Sequence, residues 1–185
     1  MIRFDNLPPD VMQSMSRITR LCFLVGGITT NAPGALYLGS LSAITDLDNL
    51  RAHRIGLLVQ VLDVPWLPEE PSKVLHIQTH RLPILDIPSA DLKPHLETTC
   101  AIIERALAEG RNVLVHCQQG VSRSSAIVIA YLICKHGMTY EQAFEFCKAR
   151  RACVKPNSGF VACLKEWEKQ WRPRPPANIR RQTTH

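Results

Sequence analysis

The chain has 185 residues, 45% of them hydrophobic and 21% charged, enough apolar material for the core of one ordinary domain; a chain disordered throughout, collagen-like or coiled-coil is excluded. Lys and Arg number 22 against 16 acidic residues, a net charge of +6, but four arginines and no acid fall within Arg172–His185, leaving the rest at +2. That is too weak a basic face for a nucleic-acid partner to be expected.

In chain order, Pro8-Pro9-Asp10 reads as a helix start, and Val11, Met15 and Ile18 share one helical face after it. Residues 26–34 have loop composition, so 1–34 is read as a helix-and-loop extension packing on the domain that follows. Ala35-Leu36-Tyr37-Leu38 is a short strand, and Ile44, Leu47 and Leu50 begin a helix. The aliphatic run Leu57 to Leu62 suits a strand covered on both faces. Trp66 to Ser72 reads as a surface loop, and Ile77 to Ile84 as a further strand that ends or lies at an edge at Pro83. Leu92, Leu96, Ile103 and Leu107 mark one face of a long helix closed by Gly110. Val113-Leu114-Val115 is a buried strand, and Ala126 to Ile133, apolar nearly all round, a buried helix ending at Gly137. Thr139 and Gln142 form a capping-box pattern before a helix carrying Ala143, Phe144 and Cys147. Phe160, Leu164, Trp167 and Trp171 mark the last helix, and a basic, proline-containing tail, 172–185, is read as mobile. Strand–helix alternation followed by helices predicts an α/β domain over 35–171, a central mostly parallel sheet flanked by helices.

Seven cysteines form an odd set without a C-x-x-C pair, which argues against a disulfide framework and against the usual zinc spacings. Most are expected as small buried hydrophobes in a reducing compartment. The N-terminus shows no secretory signal or lipid-anchor motif, and Leu21 to Val25 is too short to cross a bilayer. The expectation is a soluble protein of the cytoplasm, with the nucleus also open to it, and no membrane anchor. The other histidines share no ligand spacing, so neither metal nor cofactor is expected. Oligomeric state is not legible.

One segment carries chemistry: Val115-His116-Cys117-Gln118-Gln119-Gly120-Val121-Ser122-Arg123-Ser124-Ser125. A buried strand delivers Cys117 to the carboxyl edge of the sheet, where α/β proteins place ligands. Five residues separate it from Arg123, and a helix follows. If Gln118, Gln119, Gly120, Val121 and Ser122 curl around one centre, their N–H groups and the helix macrodipole make an anion cradle. Arg123 would close on two oxygens of a phosphate dianion. A free thiol ionises near ~8.5, but at a helix N-terminus beside arginine it shifts toward ~3.5–7.5, so Cys117 is expected as a thiolate nucleophile. Ser124 can donate a hydrogen bond to its sulfur and improve it as a leaving group.

His-Cys-x-x-Gly-x-Ser-Arg-Ser resembles the signature of the cysteine-dependent protein tyrosine phosphatases, and Gly-Val-Ser-Arg-Ser before an apolar helix resembles the small atypical dual-specificity phosphatases. Ala149-Arg150-Arg151, Pro156-Asn157-Ser158-Gly159-Phe160 and Leu36-Tyr37-Leu38-Gly39 are similar to further motifs of that family. The resemblance covers roughly 35–171. It implies a phosphoprotein phosphatase acting on phosphotyrosine and phosphoserine/threonine through a phosphocysteine, with phosphorylated proteins as partners. It also implies an upstream aspartate as general acid. Asp86, 31 positions before Cys117, is favoured over Asp91, which reads as an N-terminal helix charge. By the same resemblance, the His116 ring bonds the loop backbone and holds its shape. Asn157 is most simply a turn or N-cap residue before the last helix, any link to the phosphate loop supporting the loop without touching the phosphate. Arg150 and Arg151 read equally well as solvated helix-end charges or as a second anion site.

The readings left open are a phosphoinositide or RNA 5′-phosphate substrate, a phosphate-binding scaffold and a redox-sensing thiol. The neutral Gln118, Gln119 and Val121 favour a single phosphate over a polyphosphorylated head group. His116, adjacent to Cys117 on a strand, points to the opposite face and cannot easily serve it as a protease-type base.

Overall fold

The computed structural model describes residues 22–23, 33–64 and 70–171. The helix read at Val11–Ile18, most of the loop at 26–34 and the basic tail lie outside them. Five strands form one sheet: β1 (Cys22–Phe23), β2 (Leu36–Ser40), β3 (Ile55–Val61), β4 (Gln78–Leu82) and β5 (Asn112–Cys117). Their order is β1-β2-β5-β3-β4; β1 is antiparallel to β2 and all other pairings are parallel. The α/β reading with a mostly parallel sheet therefore holds, and β1 adds a strand inside a segment read as helix and loop.

β5 is central, and its register explains how the sheet sorts side chains. Val113 and Val115 pair with Leu36 and Leu38 on β2 and with Leu57 and Val59 on β3. All six belong to the large core, together with Cys117. Leu114, between them, pairs with Tyr37 and Leu58 and lies in the smaller core on the other face. This two-residue alternation sends Cys117 to the large core and turns His116 away from it.

The large core is covered by α4 (Lys93–Ala108), α5 (Arg123–His136), α6 (Tyr140–Arg150) and α7 (Ser158–Trp171). In α5 every residue from Ser124 to Ile133 is buried, so the all-round apolar pattern reflects a helix enclosed on every side. It begins at Arg123, three residues before the apolar run, and ends as expected at Gly137 in the left-handed conformation (φ 64°). The capping box of Thr139 and Gln142 starts α6. Trp167 of α7 donates its indole N–H to the Ala130 carbonyl of α5 at 3.1 Å, fixing the two helices to each other.

The smaller face is covered by α1 (Leu41–Thr45) and α2 (Leu47–Ala52), with Leu75 of α3 (Glu70–Leu75) packed against it. Here two expectations need correction. The single helix read from Ile44, Leu47 and Leu50 is two, broken at Asp46, whose side chain accepts from Asn49 N–H and caps the second. Residues 70–72, read as loop, begin α3: Pro71 falls in the first turn, where a missing N–H costs nothing. No helix among the described residues is long and apolar enough to cross a membrane.

Candidate active site

The loop from Gln118 to Ser122 leaves the end of β5, and every one of its carbonyls is bonded outward. Gln118 O accepts from Leu41 N–H at the start of α1 (3.2 Å), and Val121 O from Lys155 N–H (2.9 Å) and Ser125 Oγ (2.6 Å). Ser122 O accepts from Ala126 N–H (2.9 Å) and Ser125 Oγ (2.8 Å). Gln119 O and Gly120 O both accept from Arg151, at 3.0 Å from Nη2 and 2.9 Å from Nε. All peptide bonds described are trans, so in each planar unit the N–H opposes the C=O. Five outward carbonyls therefore leave the N–H groups of residues 119–123 pointing into the ring. The inward direction is seen directly at Gly120, whose N–H reaches Cys117 Sγ at 3.2 Å.

Gly120 has φ 69°, and a Cβ there would lie 2.6 Å from Gly39 O and 2.7 Å from Arg151 Nη2. Both the backbone conformation and the space exclude a side chain. Cys117 is 1% exposed and also accepts from Ser124 Oγ at 3.1 Å, as expected. The sulfur thus sits under a ring of amides at the N-terminus of the buried α5, where the partial positive charge of the helix adds to theirs.

Arg123, the first residue of α5, lies at the rim. Its Nη1 donates to Ile84 O (3.3 Å), and its Nε is 3.7 Å from Asp86 Oδ2. Asp86 projects from the loop between β4 and α4, and its Oδ1 accepts from Ser122 Oγ (2.6 Å) and Asn157 Nδ2 (3.0 Å). Of the two aspartates weighed, only Asp86 contacts the anion loop. Asp91 accepts from Lys93 N–H at the start of α4, the helix-end role read for it. Gln118 and Gln119 expose their side chains and offer the cradle only backbone.

Asn157 caps α7, its Oδ1 accepting from Phe160 N–H (3.0 Å), while its own N–H donates to Ser122 Oγ (3.1 Å). Two residues on, Gly159 packs so closely on the Asp86 loop that a Cβ there would overlap Pro88 O.

The His116 ring is buried against the Cys117 backbone; burial, the larger effect, pushes its pKa down to about 4, and the interaction with that backbone opposes the shift. One expectation is corrected. Arg151 is neither a solvated charge nor part of a second anion site: it is 4% exposed, and its guanidinium backs the anion loop. Its neighbour Arg150 is exposed and stacks on the Phe146 ring at 3.5 Å. The outward grip of Arg151 and the close contact of Gly159 were not read from the sequence. The only signal was their place in the Arg-rich and Pro-Asn-x-Gly-Phe stretches.

Chemically, this is a cup of N–H donors with a thiol at its floor, a hydroxyl on the sulfur, a guanidinium at the rim and a carboxyl group at the lip. It suits a tetrahedral oxyanion attacked at its central atom.

Comparison with known proteins agrees. Residues 36–170 match the catalytic domain of the dual specificity phosphatases. The chain is 42% identical over 130 residues to dual specificity protein phosphatase MPK-4 of Drosophila melanogaster, covering 70% of this chain but 33% of that protein. It is 36% identical over 135 residues to dual specificity phosphatase 28 of Mus musculus, covering 73% of this chain and 80% of that protein. The chain thus spans a third of the fly relative and four fifths of the mouse one. The crystal structure of human DUSP28 superposes with a TM-score of 0.68 at 35% identity, covering 73% of this chain and 88% of that one. That of a human tyrosine phosphatase-like serine/threonine/tyrosine-interacting protein does so at 0.66 and 32%, covering 74% and 92%. The chain belongs to the dual specificity phosphatases, as a small atypical member of the cysteine-dependent protein tyrosine phosphatase superfamily.

Proposed function

We propose that this chain removes phosphate from phosphotyrosine and from phosphoserine or phosphothreonine of protein substrates, through a phosphocysteine intermediate. The phosphoryl group binds the inward N–H groups and Arg123. Cys117 Sγ attacks phosphorus, the P–O bond to the substrate breaks, and Asp86 gives its proton to the departing oxygen. In the second step Asp86 takes a proton from water as the water oxygen attacks phosphorus. The S–P bond breaks, inorganic phosphate forms, and Ser124 Oγ–H stabilises the sulfur that leaves as thiolate. The charge developing on the transferred group is met by fixed donors, so this chain's own residues supply the electrostatic stabilisation.

The observation that carries this reading is the placement of Cys117 Sγ at the focus of the loop, 3.2 Å from Gly120 N and 3.1 Å from Ser124 Oγ. Cys117→Ser is expected to abolish turnover of an aryl phosphate while retaining binding of a phosphate analogue; unchanged turnover refutes it. Asp86→Asn is expected to impair poor leaving groups more than activated ones. If Asp91→Asn shows that pattern instead, the acid is misassigned. The neutral side chains of Gln118, Gln119 and Val121 support single phosphorylated residues over polyphosphorylated lipids. Cys100, Cys117, Cys134, Cys147, Cys153 and Cys163 are all free, which supports a reducing location such as the cytoplasm.

A further inference from the structure

A general acid must carry its proton on the oxygen that faces the leaving group, and the hydrogen bonds around Asp86 decide which oxygen that is. Asn157 Oδ1 accepts from Phe160 N–H, so the amide orientation is fixed and Nδ2 is the atom that meets Asp86. The backbone N–H of Asn157 donates to Ser122 Oγ. The single hydroxyl proton of Ser122 is then free for Asp86, 2.6 Å away. Both donors converge on Oδ1. Oδ2 faces Arg123, whose Nε at 3.7 Å is too far for a hydrogen bond.

We infer that Ser122 and Asn157 are positioning residues for the acid: by filling the acceptor sites of Asp86 Oδ1 they leave the transferable proton on Oδ2, on the side of Arg123 and the anion cup. This rests on the reading of Asp86 as general acid and adds two groups to it. Ser122 thereby has two functions from two atoms. Its N–H belongs to the ring, and its hydroxyl ties the ring to the acid loop. Asn157 carries the tie on to α7, where the contact of Gly159 with Pro88 braces the same loop. When the proton leaves Oδ2 for the departing oxygen, the carboxylate remains held at Oδ1. It is then oriented to take a proton from water in the second step.

The test is leaving-group dependence. Ser122→Ala, Asn157→Ser and Asp86→Asn are assayed on a series of aryl phosphates from activated to unactivated. Orthovanadate inhibition reports on the cup, and thermal unfolding on the fold. Asn157→Ser keeps a good N-cap residue while removing the amide donor. Both positioning variants are expected to steepen the dependence, losing about tenfold more on unactivated than on activated phosphates, a fraction of what a general acid contributes. In the Asp86→Asn background, Ser122→Ala is expected to add no further steepening, because the groups act as one unit. Equal losses across the series, or a dependence left unsteepened while Asp86→Asn steepens it, overturns this inference alone. A series left unsteepened by Asp86→Asn itself overturns the acid assignment, and this inference with it.

Discussion

The two loops that meet at the site are built in opposite ways. In the anion loop, 118–122, all five carbonyls are bonded to partners outside the ring, and Cys117, Gly120 and Ser122 are buried. In the acid loop, 83–91, only Ile84 is buried. Leu85 and Ile87, on either side of Asp86, are 50% and 43% exposed. The first loop is held through its backbone, carbonyl by carbonyl. The second is specified at a few points by others: Ser122, Asn157, Arg123 and the face of Gly159. A site for a dianion needs many fixed donors, whereas a proton donor needs one oxygen in one place, and the difference in construction follows from that.

Breaking the rigid side should produce the largest effect. Arg151→Met leaves the Gln119 and Gly120 carbonyls without their donor, at about 1–3 kcal/mol for each unpaired buried group. Orthovanadate inhibition is expected to weaken by at least ~10-fold, the equivalent of ~1.4 kcal/mol, with a lower unfolding temperature. Arg151→Lys is expected to recover only part of this, because an ammonium lacks the planar fork that reaches both carbonyls.

The face of β5 behind the anion loop can be probed with acid. Burial holds His116 neutral in the fold, with its pKa near 4, whereas in the unfolded chain it takes up a proton below its ordinary value of ~6.5. As pH falls from 6.5 towards 4 the unfolded state binds the extra proton, so stability is lost over that window, by up to about 3 kcal/mol. Denaturant unfolding at a series of pH values should show this slope in the wild type and a shallower one in His116→Gln, where His80 and His136, also pushed down by burial, supply what remains.

On the acid-loop side, Gly159→Ala sharpens the comparison. Within a helix this change ordinarily stabilises by up to ~1 kcal/mol. Here the new methyl group meets Pro88 O and must displace the loop carrying Asp86. Hydrolysis of unactivated aryl phosphates is expected to fall about tenfold relative to activated ones, a partial loss of acid catalysis. The smallest effect is expected from Leu85→Ser and Ile87→Ser, which should change stability by less than ~0.5 kcal/mol in thermal unfolding, since neither side chain is buried.

Legibility in the sequence followed the same division. Strand β5, the position of Cys117 at its end and the buried body of α5 could be read because a buried strand, a glycine-containing turn and an enclosed helix leave local patterns. Asp86 was read from the family resemblance and its spacing to Cys117, and Asn157 from the Pro-Asn-x-Gly-Phe motif. What could not be read was long-range: that Arg151, at the end of α6, reaches the carbonyls of residues 119 and 120, or that the Ser122 hydroxyl turns to Asp86. A charge near a helix end is solvated in most proteins, and nothing local distinguishes one that folds back into a core. The break at Asp46 was hidden for a different reason. Ile44 and Leu50 are both fully buried, so the apolar spacing continues across two helices while the cap interrupts only the backbone.

The cup that would receive a phosphoryl group offers its guest main-chain amides, which substitution of loop side chains leaves in place. Compounds meant to distinguish this chain from its relatives would therefore gain little from the phosphate mimic itself. They would need to reach outward, to exposed side chains on the two loops that meet at the site, such as Gln118, Gln119, Leu85 and Ile87.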